Sequence, residues 1–167
     1  MKGNEIVLLY YSLTMVCRKI EGEIHMTTYK ISLMEAYLIE TLRNHGVSNE
    51  EIVAKLRTGN VESWKNFHER FDFNELLLLA TKNIDQFKEM LDQGYQVKFV
   101  TFNGLKNLLH MRFGKEQDKD YELLEKGIHN LVLDQGQLET VKQMLSGNWV
   151  LEEVKNGSEY IVRIELI

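Results

Sequence analysis

The chain has 167 residues, of which 44% are hydrophobic and 27% are charged, and its formal net charge is −5. These values argue against a disordered chain or a membrane-embedded one, and the length favours one domain. The absence of proline favours helices, and the single cysteine, Cys17, can form no internal disulfide, so we expect a cytoplasmic, reducing location.

Residues 1–25 are a candidate leader that is either peripheral to the domain or not native. Their apolar run, residues 6–16, is shorter than the roughly 20 residues that a membrane span needs, and it lacks the features of a signal peptide. Glu21, Gly22 and Glu23 can be encoded by a purine run that resembles a bacterial ribosome-binding site. This indicates a bacterial or phage protein with Met26 as a candidate start. The rival interpretation is a helix or strand that packs on the core.

Short helices are predicted throughout the segment before residue 95, from apolar residues at helical spacing and from capping signals. The predicted helices cover 33–45, 49–56, 62–70, a segment that includes 76–80, and 84–93. Ser48 with Glu51, and Asp72 with Glu75, have the spacing of a capping box. The four consecutive leucines at 76–79 cover the whole circumference of a helix, so we expect that helix to be buried on all sides.

After Gly94 the apolar period changes from 3.6 to 2, which indicates strands. The predicted elements are a strand over 95–101, a helix from 103 to 113, a helix over 121–126, a strand over 128–133 and a helix over 137–145. Together with the first half, these elements predict an α+β fold: an N-terminal helical portion packed with a small C-terminal mixed sheet. We expect one globular domain over 26–167, with a helical part at 26–94 and an α+β part at 95–167.

The C-terminal end of the chain carries the clearest local signal, a β-hairpin. Asn156-Gly157 is a preferred pair for a two-residue type I′ loop, and it lies between predicted strands at 149–154 and 159–166. With that loop, Val154 faces Glu159. The side chains expected on the core face are Trp149, Leu151, Tyr160, Val162 and Ile164.

Residues 95–115, which we call the basic segment, contain no Asp or Glu although the chain as a whole is acidic. The candidate partner- or anion-binding residues are Lys98, Lys106, His110 and Lys115. The alternative is that the acidic segments 118–125 and 152–165 fold against these cations. Arg112 falls inside the apolar stripe of its helix, so either its guanidinium extends to solvent or it forms a buried pair with a carboxylate.

No catalytic motif, metal-ligand spacing or cofactor-binding loop is recognisable in the sequence. We therefore expect a non-catalytic regulatory protein, without a cofactor and away from membranes, that acts through protein–protein interaction by means of the basic segment. The alternative is a DNA-binding regulator with a helix-turn-helix at 48–70 or a C-terminal winged helix. Nucleic acid is disfavoured because residues 48–70 have no net positive charge and the C-terminal hairpin is acidic, and because the connection RTGNVE exceeds a turn of about three or four residues.

Overall fold

The computed structural model describes residues 29–167, so the candidate leader and Met26 lie outside the described residues. The described α-helices are α1 (Leu33–Asn44), α2 (Asn49–Thr58), α3 (Asn74–Lys82), α4 (Ile84–Gln93), α5 (Phe102–Phe113) and α6 (Gln135–Met144). The described strands are β1 (Tyr29–Ile31), β2 (Tyr95–Val97), β3 (Glu122–Leu124), β4 (Gly127–Asp134), β5 (Trp149–Asn156) and β6 (Glu159–Leu166). The predicted α+β class is confirmed, with N-terminal helices followed by an antiparallel sheet that ends in a β-hairpin.

Capping boxes set the starts of three helices. In α2 the predicted box is confirmed: the Glu51 amide donates to the Ser48 hydroxyl at 3.2 Å, and the Ser48 amide donates to the Glu51 carboxylate at 2.9 Å. Ser32 caps α1 and Asp134 caps α6 in the same way. Each box satisfies two amides that the helix itself leaves without partners.

The segment between α2 and α3 departs from the prediction. The predicted helix at 62–70 is wrong: only the 3-10 helix Glu62–Asn66 forms there. Trp64 in that turn is buried and packs edge-on against Phe73, with ring centroids 5.8 Å apart, so aromatic packing bends the chain away from a longer helix. The predicted capping box at Asp72 is also wrong, because its carboxylate accepts from the amide of Asn74 two residues on.

The leucine-rich helix α3 is buried on one side only, which contradicts the expectation of burial all round. Leu76 is fully buried and Ala80 nearly so, whereas Leu78 is 68% exposed. The main tertiary contacts of α3 are with the helices α1, α2 and α4, and these leave Leu78 on its outer face exposed. The four consecutive leucines place apolar side chains on every side of α3, but other elements cover only one of those sides.

The strands form two sheets. β1 lies parallel to β2, and this pair was not predicted because a strand of three residues carries almost no periodicity. The other sheet has the order β3-β4-β6-β5 and is antiparallel. The predicted strand at 128–133 is confirmed as β4, but the predicted helix at 121–126 is wrong, because Leu123 pairs with Ile128 as part of β3.

The strand predicted over 95–101 is shorter than expected and ends at Val97. The chain leaves the sheet because Val100 is held from elsewhere. Its amide donates to the Ser146 hydroxyl at 2.7 Å, and its carbonyl accepts from the Trp149 indole at 2.8 Å. These contacts fix the loop that leads from β2 into α5.

The C-terminal hairpin is confirmed, but its loop is displaced by one residue. Asn156 pairs with Glu159, so the loop is Gly157-Ser158 instead of the predicted Asn156-Gly157, and Val154 pairs with Ile161. Gly157 has a φ of +64°, as the first residue of a type II′ loop requires. The pairing thereby shifts by two residues, an even number that leaves every side chain on its expected face.

Buried apolar residues from the helices and both sheets pack into one core.

Candidate functional site

Lys98 lies in the loop between β2 and α5, at the start of the surface that the basic segment forms. Its backbone amide donates to the Ile31 carbonyl at 2.8 Å, just beyond the end of the β1–β2 pairing, and its side chain is exposed. The next residue, Phe99, is 60% exposed. A cation and a large aromatic ring are therefore presented together on a loop whose base is anchored to the core.

The helical part of the basic segment contributes Lys106 and His110. Thr101 caps α5 by accepting from the Gly104 amide at 3.0 Å, which fixes where the helix begins. Lys106 is half-buried, with its Nζ 6.0 Å from the centroid of the Phe102 ring, and His110 is exposed. The spacing of four residues places these two side chains on the same face of α5.

Lys115 follows the C-terminal end of α5 and is half-buried. Gly114, with a φ of +64°, turns the chain out of the helix, and the Lys115 amide then donates to the Leu109 carbonyl at 3.2 Å. Of the four sequence-predicted residues, Lys106 and His110 share a helix face, whereas Lys98 and Lys115 flank the two ends of α5. Their role in binding stays a prediction.

Within residues 29–167, none of these four residues forms an ion pair with a described carboxylate. Three acidic residues of 118–125 and 152–165 instead contact other partners, and the first of them, Glu122, lies 3.2 Å from His129 Nε2. Glu153 contacts Lys142 at 2.7 Å, and Glu165 contacts Arg163 at 2.9 Å. The hydrogen bond from Lys142 to Glu153 raises the pKa of Lys142, and the one from Arg163 lowers the pKa of Glu165.

Arg112 belongs to a separate buried cluster centred on Glu40. Its Nη1 lies 3.2 Å from Glu40 Oε2, and Arg43 Nη1 lies 2.8 Å from Glu40 Oε1. The Glu40 side chain is fully buried, so of the two interpretations of Arg112 the structure shows the buried pair. The Tyr95 hydroxyl donates to Glu40 Oε1 at 2.6 Å and completes what we call the Glu40 cluster: Glu40, Arg43, Tyr95 and Arg112.

The surroundings of the Glu40 cluster fix its charge and its orientation. Burial first, and then the negative charge of Glu40, hold the pKa of Tyr95 well above its usual range, so Tyr95 donates as a neutral hydroxyl. Arg43 also donates to Asn49 Oδ1 at 3.0 Å and to the Leu91 carbonyl at 2.8 Å. The cluster thus connects α1 to α2, α4, β2 and α5.

A cavity of about 240 Å³ opens beside the cluster, between the C-terminal ends of α1 and α5. Its lining consists of Glu40, Arg43, Asn44, Met111, Arg112 and Gly114, and we call it the Arg112 cleft. A larger cavity of about 320 Å³ lies between β1 and the helices α3 and α4, and it includes Lys30 and Lys82. In the described part of the chain, no group of three or more His, Cys, Asp or Glu residues could hold a metal ion.

Sequence reasoning missed Glu40, although one signal indicated a buried acid. Arg112 falls in an apolar stripe, which predicts a carboxylate partner if the guanidinium is buried. Glu40 itself was not indicated, because it lies off the apolar face predicted for α1; its burial beside Ile39 and Thr41 is a finding of the structure. Joining the two residues required the packing of α1 against α5, which local patterns do not reveal.

The two candidate DNA-binding regions, which both lie in the described part of the chain, lack helices that the helix-turn-helix and the winged helix require. At 48–70, the five-residue 3-10 helix Glu62–Asn66 stands where a recognition helix would lie. In the C-terminal region, α6 is the one helix between β4 and β5, so two consecutive helices do not precede the hairpin there.

None of the helices in 29–167 is long and apolar enough to cross a membrane. Comparisons of the chain with protein-family models, curated proteins and solved structures found no match.

Proposed function

We propose that this protein is a non-catalytic binding protein that recognises another protein through the cations of the basic segment: Lys98, Lys106, His110 and Lys115. The observation that carries the proposal is that these four side chains find no carboxylate partner among residues 29–167, while Phe99, the chain neighbour of Lys98, is 60% exposed. A surface of unpaired cations with an aromatic side chain suits an acidic protein partner, because charge complementarity steers association and aromatic rings supply contact area.

The test compares two variants with the same change in charge. The first carries Lys98→Glu, Lys106→Glu and Lys115→Glu. The control carries Lys82→Glu, Lys119→Glu and Lys126→Glu, three exposed lysines outside the basic segment. Both variants must match the thermal unfolding of the wild type before they are used as bait in pull-down experiments from the source cell.

The proposal predicts that partners retained by the wild type and by the control are lost by the first variant, and that raised salt weakens their retention. His110→Glu, made separately, is expected to give a smaller loss. If the folded first variant keeps every partner of the wild type, the basic segment is not the binding surface.

Nucleic acid is the alternative partner for the same cations. An electrophoretic mobility shift at low salt distinguishes the two, because the phosphate contribution to binding is largest when counterions are few. Protein binding predicts no shift of duplex DNA under these conditions. A shift that the Lys98, Lys106 and Lys115 variant loses and the control retains would mean that the basic segment binds nucleic acid, whereas a shift that both variants retain would favour the helix-turn-helix or winged-helix alternative.

A further inference from the structure

The Glu40 cluster carries more positive charge than it neutralises. Arg43 and Arg112 both face the single carboxylate of Glu40, and Tyr95, whose pKa is held high mainly by burial, contributes no charge. These four side chains therefore sum to a charge of +1. The carboxylate of Asp92, which Asn49 bridges to Arg43, lies on the Arg43 side and leaves Arg112 as the less balanced of the two guanidiniums. Partly buried charges are usually balanced, and the Arg112 cleft is the space beside the cluster that an anion could enter.

The two arginines differ in how many of their donors are engaged. Arg43 donates from Nε, Nη1 and Nη2 to Asn49, Glu40 and the Leu91 carbonyl, and its side chain is only 15% exposed. Arg112 uses Nη1 alone, shared between the two oxygens of Glu40, and is 30% exposed. Within the described range 29–167, the Nε and Nη2 of Arg112 therefore have no hydrogen-bond acceptor.

We propose that the Arg112 cleft binds a small monocarboxylate, which accepts two parallel hydrogen bonds from the Nε and Nη2 of Arg112. One edge of a guanidinium presents two N–H groups in a geometry that matches the two oxygens of a carboxylate. The ligand's single negative charge balances the net charge of the cluster. This site shares no residue with the four cations of the proposed protein-binding surface, so either can exist without the other.

Size and electrostatics narrow the class of ligand. The cavity of about 240 Å³ is several times the roughly 30 Å³ that one water occupies in the liquid, so it accommodates a small organic acid. Asn44 and Gly114 mark the C-terminal ends of α1 and α5, where the helix dipoles place partial negative charge. Those dipoles and Glu40 oppose any anion that the guanidinium attracts, and they oppose the dianion of phosphate about twice as strongly as a singly charged carboxylate. A monocarboxylate is therefore preferred to the phosphate dianion.

The experiment titrates the ¹⁵N-labelled full chain with sodium acetate and, at equal ionic strength, with sodium chloride and sodium phosphate. The reporter is the Nε–Hε signal of Arg112. Arg163, whose guanidinium pairs with Glu165 on the sheet, serves as the internal control. The proposal predicts a saturable acetate-dependent shift at Arg112, a weaker response to phosphate and to chloride, and no saturable shift at Arg163.

Two variants test the assignment to Arg112. Arg112→Lys keeps the charge beside Glu40 but removes the paired donors, so the acetate shift of the Gly114 amide should need at least tenfold more acetate. The matched Arg163→Lys substitution should leave the titration unchanged. Equal responses to acetate and chloride at Arg112 would overturn the proposal, as would an unchanged affinity in a folded R112K variant. The wild-type comparison of the two arginine signals decides the question even if R112K fails to fold.

Discussion

Tyr95 donates a hydrogen bond of 2.6 Å to Glu40, and this contact joins β2 to the middle of α1 in the interior of the protein. The same carboxylate receives Arg43 from its own helix and Arg112 from α5. Three side chains from three elements therefore depend on one buried acid. Removing it would leave two guanidiniums facing each other without a counter-charge.

Glu40→Ala should destabilise the protein strongly. Breaking a buried ion pair by removing one partner costs about 3–5 kcal/mol, because the remaining charge stays buried and unpaired. Urea denaturation of the variant and the wild type measures the difference in the free energy of unfolding. Glu69→Ala, at an exposed position, is the control, and its effect should stay within about 0.5 kcal/mol. Equal effects of the two substitutions would show that the Glu40 cluster contributes nothing to stability.

Alkaline pH should weaken the fold through Tyr95. Its pKa is raised in the folded state, chiefly by burial and then by the charge of Glu40. Above the unfolded value of about 10, the unfolded chain releases the phenolic proton while the folded chain keeps it. The Tyr95 contribution is thus complete below about pH 10 and decreases, by up to about 1.4 kcal/mol per pH unit, as the pH rises through the folded-state pKa.

Tyr95→Phe isolates this effect from that of the other tyrosines. Tyr37 and Tyr121 also have raised pKa values, with burial as the largest cause, and they remain in both proteins. Urea denaturation between pH 9 and 11 should show a steeper loss of stability for the wild type than for Y95F. Parallel curves for the two proteins would contradict the assignment to Tyr95.

The one-sided burial of α3 makes two neighbouring leucines behave differently. Leu76→Ala empties a fully buried position and should cost about 2–5 kcal/mol, whereas Leu78→Ala at 68% exposure should change the free energy of unfolding by about 0.5 kcal/mol or less. Both substitutions lie in one helix and remove the same atoms, so the change in helix propensity is the same for both and cancels when the two free energies of unfolding are compared. Similar losses in thermal denaturation would mean that the outer face of α3 is covered.

Gly127 should not accept a side chain. A Cβ at this position would overlap the backbone carbonyl oxygen of Ile164 on β6, which cannot move without breaking the sheet. Gly127→Ala should therefore cost about 1–3 kcal/mol, as overpacked sites do. Gly147, where an added Cβ meets nothing within 4 Å, provides the matched control. Thermal denaturation should rank G127A well below G147A, and the reverse order would exclude this close contact.

Local patterns predicted the elements whose determinants are local. α4 matches its predicted range 84–93, and Ser48 caps α2 through the expected box, because hydrophobic spacing and capping act within a few residues. The hairpin shows how accurately such local signals place a turn and a core face. The Asn156-Gly157 pattern located the turn to within one residue, and alternation fixed the core face even though the pairing differs by two.

The failures arose where contacts beyond the spacing of three to four residues, over which helix periodicity and capping act, decide the conformation. Trp64 shortens its helix by packing against Phe73, and Leu123 becomes part of a strand only because Ile128 lies opposite. β1 and the Glu40–Arg112 pair depend on residues more remote still. The four cations of the basic segment were visible in the sequence, but whether the fold covers them depends on where the acidic segments pack.

The parallel pairing of β1 with β2 sets an order on folding. All of α1 to α4 lies between the two strands, so their alignment closes a long loop and costs chain entropy that no short-range contact offsets. As the chain leaves the ribosome, β1 emerges before β2, and the pairing of the two strands cannot form until the four helices and then β2 have been made. Hydrogen exchange during refolding should therefore find the Lys98 amide, which donates to the Ile31 carbonyl just beyond the β1–β2 pairing, protected only after α1 to α4 have formed, so this amide reports when the helical part is complete.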